Sequence, residues 1–92
     1  MNKVMKPSEW LDKAKKKENI QSDYRLAKII GIEPASISTM RRRDNGMDNY
    51  TAIRIAEILE INKLIVIIDM EMKKAKSEEK KEFWKKKEEV YR

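Results

Sequence analysis

The chain has no cysteine and no histidine, and only two glycines and two prolines in 92 residues. Zinc clusters, thiol nucleophiles and imidazole general bases are thereby excluded. The lack of cysteine also fits a reducing compartment. Long apolar runs are missing too: the longest, Leu64 to Ile68, is far too short to span a bilayer. No stretch reads as a signal peptide, so the expectation is a soluble, cytoplasmic protein with no membrane partner. The carboxylate pairs Glu78-Glu79 and Glu88-Glu89 are sequence neighbours that do not converge on a pocket, and no glycine-rich phosphate loop occurs. The chain is therefore expected not to be an enzyme, and no metal, cofactor or small-molecule ligand is expected.

What is present is helix-forming residue types. Lys, Glu, Ile, Leu and Ala dominate, and no segment alternates with a two-residue period for long enough to suggest a sheet. The class expected is all-α. At this length one domain with a modest core is possible without disulfides or metals. The net charge of +6 suggests a polyanionic partner, but the excess lies in the flanks. Residues 1–21 carry six lysines against three acids, and residues 71–92 carry nine basic against six acidic groups. Residues 22–50 have five basic and four acidic groups. Lys and Glu interleaved along helices are explained largely as solvated, paired faces, so total charge alone is weak support for nucleic-acid binding.

Six helices are expected. The first starts at Ser8 as N-cap, after Pro7, and runs to about Lys17 with Trp10, Leu11 and Ala14 on one face. Ser22 caps a second, with Asp23 complementing its dipole and Leu26, Ala27, Ile29 and Ile30 as its inner stripe. Gly31 ends it in the left-handed conformation. Pro34 opens a third helix, which runs to about Arg42 with Ile37 and Met40 inward. Asp44-Asn45-Gly46 signals a turn. A fourth helix begins at Asp48 or Asn49, with Ala52, Ile53, Ala56 and Leu59 at helical spacing. Asn62 caps a fifth, continuing to about Lys76, and Ser77 begins a sixth that ends near Tyr91 with Phe83 and Trp84 as its large apolar residues.

The sharpest local feature is the pair of short helices joined through Gly31. Ala27 must be small where the third helix crosses, and Gly31 permits the turn that sets the interhelix angle. Leu26, Ile30, Ile32, Ile37 and Met40 seal the pair onto the rest of the domain. The outer face of the third helix is then short and polar: Ala35, Ser36, Ser38, Thr39 and Arg42. Such a face can approach base edges in a major groove, where hydroxyls hydrogen-bond and a methyl meets thymine. Arg41-Arg42-Arg43 at its end suits the helix dipole and can reach phosphates. An ordinary helical hairpin with Gly31 as a routine cap is the plainer alternative.

The stretch SDYRLAKIIGIEPASISTMRRR resembles the helix-turn-helix of the Cro and phage-repressor superfamily, the Xre-type regulators. The wider pattern KPSEWLDKAK, SDYRLAK, TAIRIAEIL and EFWKKK is similar to small regulators of filamentous phages and prophages, from about Lys6 to Lys87. The resemblance implies a lambda-repressor-like domain of about five helices over residues 1–70, with residues 71–92 as a helical extension for packing or dimerisation. It implies a regulator in the cytoplasm of a bacterial host, acting as a homodimeric repressor of double-stranded DNA on pseudo-palindromic operators. Ala35, Ser36, Ser38 and Thr39 occupy its base-contacting positions. Ser22, Arg42 and Arg43 match positions that hold phosphates. Two departures stand out: Glu33 replaces the usual Ser or Thr cap, and no Gln or Asn is placed to read adenine. Base readout is therefore expected to be methyl- or shape-based in part.

The Leu64–Ile68 run is apolar around the whole helix and needs a second cover besides the core. The sixth helix can supply it through Phe83 and Trp84. A partner chain can supply it instead, which makes Leu64, Ile67, Ile68, Phe83 and Trp84 candidate dimerisation residues. The Lys73–Lys87 region is expected to be a solvated helix rather than a second DNA-binding arm. A rival reading makes the chain a protein-interaction module, antitoxin-like or binding a host factor, with helix 64–72 and Phe83-Trp84 as its contact surface.

Overall fold

A computed structural model describes residues 5–44 and 46–91. The described residues form six α-helices and no strand: α1 (Pro7–Glu18), α2 (Asp23–Ile30), α3 (Pro34–Arg43), α4 (Asn49–Leu59), α5 (Lys63–Lys74) and α6 (Glu78–Tyr91). The all-α class expected from composition is what the chain adopts. Of the expected Asp44-Asn45-Gly46 turn, Asn45 lies outside the described residues.

Several helix ends follow the residues that flank them. Ser22 Oγ accepts the Arg25 amide at 3.3 Å, and Asn62 Oδ1 accepts the Leu64 amide at 2.9 Å. Each therefore satisfies one donor that an α-helix start leaves open. The start of α1 differs from expectation. Ser8 lies inside the helix, with Lys6 as N-cap and Pro7 in the first turn. Ser8 instead faces a distant acceptor: its amide and its hydroxyl donate to the two oxygens of Asp44, both at 3.0 Å. Asp44 is the left-handed C-cap of α3 (φ 50°), so one carboxylate ties the end of α3 to the first turn of α1.

A single core gathers Trp10, Leu11 and Ala14 from α1, Leu26, Ala27 and Ile30 from α2, Ile37 and Met40 from α3, Ala52, Ile55 and Ala56 from α4, and Val66 and Met70 from α5. Two residues expected in the inner stripes lie at their margins. Ile29 and Ile53 are half-buried, whereas Ile55 is fully buried. The stripe of α4 runs 52, 55, 56, 59, and Ile53 falls beside it. Asp69 is fully buried on α5 and accepts the Trp10 Nε1–H at 3.2 Å and the Met5 amide at 3.2 Å, joining α5 to α1.

The α5 helix packs between α4 and α6. Ile68, nearly opposite Val66 and Met70 on the helix, is 1% exposed and buried apart from the central cluster. The apolar run thus has its second cover in part within the chain. Phe83 is 51% exposed and meets half-buried Trp84 edge-on, with ring centroids 5.0 Å apart. Glu88 is the one buried residue described on α6. No helix among the described residues is long and apolar enough to cross a membrane.

Candidate nucleic-acid interface

The turn between α2 and α3 is held by a small residue, an unusual backbone and one arginine. Ala27 has no exposure, and its carbonyl accepts the amides of Gly31 at 2.8 Å and Ile32 at 3.0 Å. Gly31 has φ 90°, which L side chains rarely adopt. A β-carbon there would also lie 2.8 Å from the Tyr50 hydroxyl oxygen. Arg54, on α4, donates from Nε to the Ile30 carbonyl and from Nη2 to the Ile29 carbonyl, both at 3.1 Å. Its charge sits where the α2 dipole is negative, and it satisfies carbonyls that the helix end leaves open. Sequence patterning missed Arg54, because its partners are about 25 residues away.

Beyond that turn, α3 divides cleanly. Ile37 and Met40 are buried, while Ala35, Ser36 and Ser38 are exposed and Thr39 is half-buried. The expected face of short side chains is therefore on the surface along one helix. Glu33 precedes it, exposed and making no side-chain capping bond, so the acid expected near this face is there. Ser22, half-buried at the start of α2, uses its oxygen as a capping acceptor and keeps its O–H for an outside acceptor.

The arginine triplet does not act as a unit. Arg41 turns inward: Nε and Nη2 donate to both oxygens of Asp23 at 2.8 and 3.0 Å, and Nη2 also reaches Asp12 at 2.8 Å. Lys15 Nζ completes the cluster at 3.0 Å from Asp23. The Arg41 hydrogen bond holds the Asp23 carboxyl below its ordinary pKa; burial opposes this, and Lys15 adds to the lowering. Asp23 in turn holds Arg41 above its ordinary value. Arg41 is thus a bridge between α1, α2 and α3. Its position four residues after Ile37 puts it at the inner edge of the helix, a signal that was available in the spacing. Arg42 and Arg43 are exposed, and among the described residues neither has a carboxylate within ion-pair reach.

A shallow groove runs beside this face. Near the start of α3 it is bordered by Ala35, Ser36, Thr39 and Asp48, with a volume of about 290 Å³. A second depression of about 480 Å³ shares Thr39, Met40 and Asp48 with it and is also lined by Arg43, Gly46 and Met47. Lys74 reaches its rim from the end of α5. Asp48 accepts the Thr51 hydroxyl hydrogen bond. Neither Asp48 nor Lys74 was marked by the sequence patterns, since both arrive from elements outside the helix pair.

No family model, curated protein or solved structure matches the chain. What this surface does is therefore read from its own chemistry. Among the described residues no group of three or more acidic, cysteine or histidine side chains is placed to hold a metal ion. Short hydroxyl and methyl groups along α3, with two exposed guanidinium groups at its end, make a surface for hydrogen-bonding and for neutralising fixed anions.

The remaining candidates lie elsewhere. Leu64 and Ile67 are half-buried and Ile68 is interior, so of the proposed dimerisation residues Phe83 is the most exposed, with Trp84 half-buried beside it.

Proposed function

We propose that the chain is a sequence-specific DNA-binding transcriptional regulator of lambda-repressor-like helix-turn-helix architecture, similar to the Cro and phage-repressor regulators of phages and prophages. In this reading α2 supports and α3 enters the major groove. Ala35, Ser36, Ser38 and Thr39 meet base edges, while Ser22, Arg42 and Arg43 meet backbone phosphates. A homodimer in the bacterial cytoplasm occupies two half-sites of an operator and blocks access of polymerase to a promoter. One observation carries the reading. The helix sends its apolar residues and Arg41 inward and leaves outward only short side chains ending in Arg42 and Arg43.

Selection of bound duplexes from a randomised pool tests it. Enrichment of an inverted repeat, with affinity falling steeply as salt rises, is the expected result. Failure to enrich any sequence, together with salt-insensitive or absent binding, would sink the proposal.

A second reading, a helical protein-interaction module, is favoured by a different observation. A recess of about 360 Å³ is lined by Met5, Trp10, Leu59, Ile61 and Ile65, with Lys13 at its edge. Most of helix 64–72 is covered within the chain, so a foreign partner would meet this recess or Phe83 rather than that helix. Sedimentation distinguishes the two. A stable homodimer supports the regulator, and a monomer supports the interaction module.

A further inference from the structure

Lys74 is the last residue of α5, in a helix otherwise committed to packing between α4 and α6. Its side chain is exposed, yet it lines the depression that also carries Arg43. Its Cε lies 3.3 Å from where a β-carbon on Gly46 would stand, so the stem crosses the loop between α3 and α4 over its smallest residue. A side chain at that position would crowd the lysine. The ammonium, one bond beyond Cε, therefore belongs to the rim of the groove that also carries Arg43. That depression shares Thr39, Met40 and Asp48 with the one bordered by Ala35 and Ser36.

Arg43 and Lys74, from different elements, thus line one depression together with Thr39. The lining also carries a carboxylate, Asp48, which accepts the Thr51 hydroxyl and disfavours an anion drawn inside. An ammonium-bearing and a guanidinium-bearing side chain on one lining, with buried Met40 and Met47 beneath, suit a fixed anion held at the mouth rather than one drawn inside. A phosphate of the DNA backbone, presented by the strand bordering the groove that α3 enters, has that geometry and charge.

We propose that Lys74 is a DNA-backbone contact, forming with Arg43 a two-sided phosphate clamp at the end of the α3 surface. The inference rests on the DNA-binding reading above and adds α5 to the elements that hold the duplex. The end of α5 thereby joins the end of α3 in holding the duplex, beside the Arg41–Asp23 link that ties the start of α2 to the same end of α3.

Binding of a fluorescently labelled, short mixed-sequence duplex is followed as salt is raised. The proteins are the full chain, Lys74→Gln, Lys74→Arg, Arg42→Gln with Arg43→Gln, and Lys86→Gln as an exposed lysine on α6. Loss of one phosphate contact lowers the slope of log affinity against log salt by about 0.9, and affinity near 0.1 M salt by about eightfold. The expected result is that change in Lys74→Gln, recovery in Lys74→Arg, and a much smaller effect in Lys86→Gln. If the double arginine variant loses slope while Lys74→Gln keeps it, the clamp is wrong and the DNA-binding reading stands. If Lys74→Gln and Lys86→Gln fall equally, bulk charge explains both and the clamp is again overturned. If the unaltered chain shows no salt-dependent binding, the DNA-binding reading fails and the clamp with it.

Discussion

At Gly31 two separate demands fall on one residue. The backbone there is left-handed, and the Tyr50 hydroxyl occupies the space a β-carbon would need. Gly31→Ala is expected to cost about 1–3 kcal/mol in denaturant unfolding, from strain and crowding together. Tyr50 is half exposed, so Tyr50→Phe by itself costs little. In the Gly31→Ala background the same change removes the crowding atom and recovers part of the loss. A Tyr50→Phe effect that is identical in both backgrounds would show that close approach contributes nothing. Asp44 poses the complementary case, a left-handed residue that is not glycine and whose carboxylate is used. Asp44→Gly keeps the backbone and loses the link to Ser8; Asp44→Ala loses both; Asp44→Asn keeps a type that tolerates the conformation and one acceptor oxygen. Stability is expected to fall in the order wild type, Asn, Gly, Ala, with Ala lower than wild type by about 2 kcal/mol. A glycine variant as stable as wild type would show that the Ser8 bonds are idle.

Among the helices, the Arg41 cluster joins three of them, and its strength depends on pH. Asp23 has a folded-state pKa below its ordinary value because Arg41 and Lys15 donate to its charged form. Its contribution is present in full above the ordinary aspartate value of about 3.9, and is lost as pH falls through the lower folded-state value. The Asp23 side chain is 38% exposed, so solvent screens the pair. Arg41→Ala is expected to cost about 1 kcal/mol at neutral pH, with the difference from wild type shrinking in acid. Arg42→Ala and Arg43→Ala should each stay within about 0.5 kcal/mol at neutral pH, because they hold nothing in the fold. Urea unfolding at neutral and acid pH measures this. A pH-independent Arg41→Ala penalty would assign Arg41 to packing instead. These elements also show what was legible beforehand. Ser22, Pro34 and Asn62 mark helix starts by local chemistry, and Gly31 marks an end. Asn19, Asp44 and Glu60 end helices in the same left-handed conformation without being glycine. Ser8, Arg54 and Lys74 take their roles from residues far along the chain, and no local pattern encodes those pairings. Even Arg41, whose spacing from Ile37 pointed inward, looked like its two neighbours until Asp12 and Asp23 were placed beside it.

For the whole molecule, the charge of +6 matters less than where neutral and charged groups lie. The strongest excesses sit in the flanks, while the proposed DNA surface uses a few exposed cations around short polar residues. On the proposed reading one copy offers few cationic contacts, and a dimer on two half-sites doubles them. Half-sites one helical turn apart place equivalent α3 helices about 34 Å apart. The molecule measures 38 × 25 × 21 Å, so that spacing falls between its longest and shortest dimensions. Of the residues first assigned to the dimer contact, Ile68 is already interior, and Phe83 on α6 offers the most exposed ring. Phe83→Lys leaves the core cluster untouched, since Phe83 lies outside it, and removes the edge-on ring contact with Trp84. If α6 forms the contact, sedimentation should show the wild-type chain above its monomer mass of 11.0 kDa and the variant at that mass. On DNA, the variant should lose affinity for a selected inverted repeat while binding an isolated half-site as wild type does. A half-site loss of the same size would place Phe83 in the DNA surface, and an undisturbed dimer would move the contact to another face, with the recess between Trp10 and Ile65 as the next surface to alter.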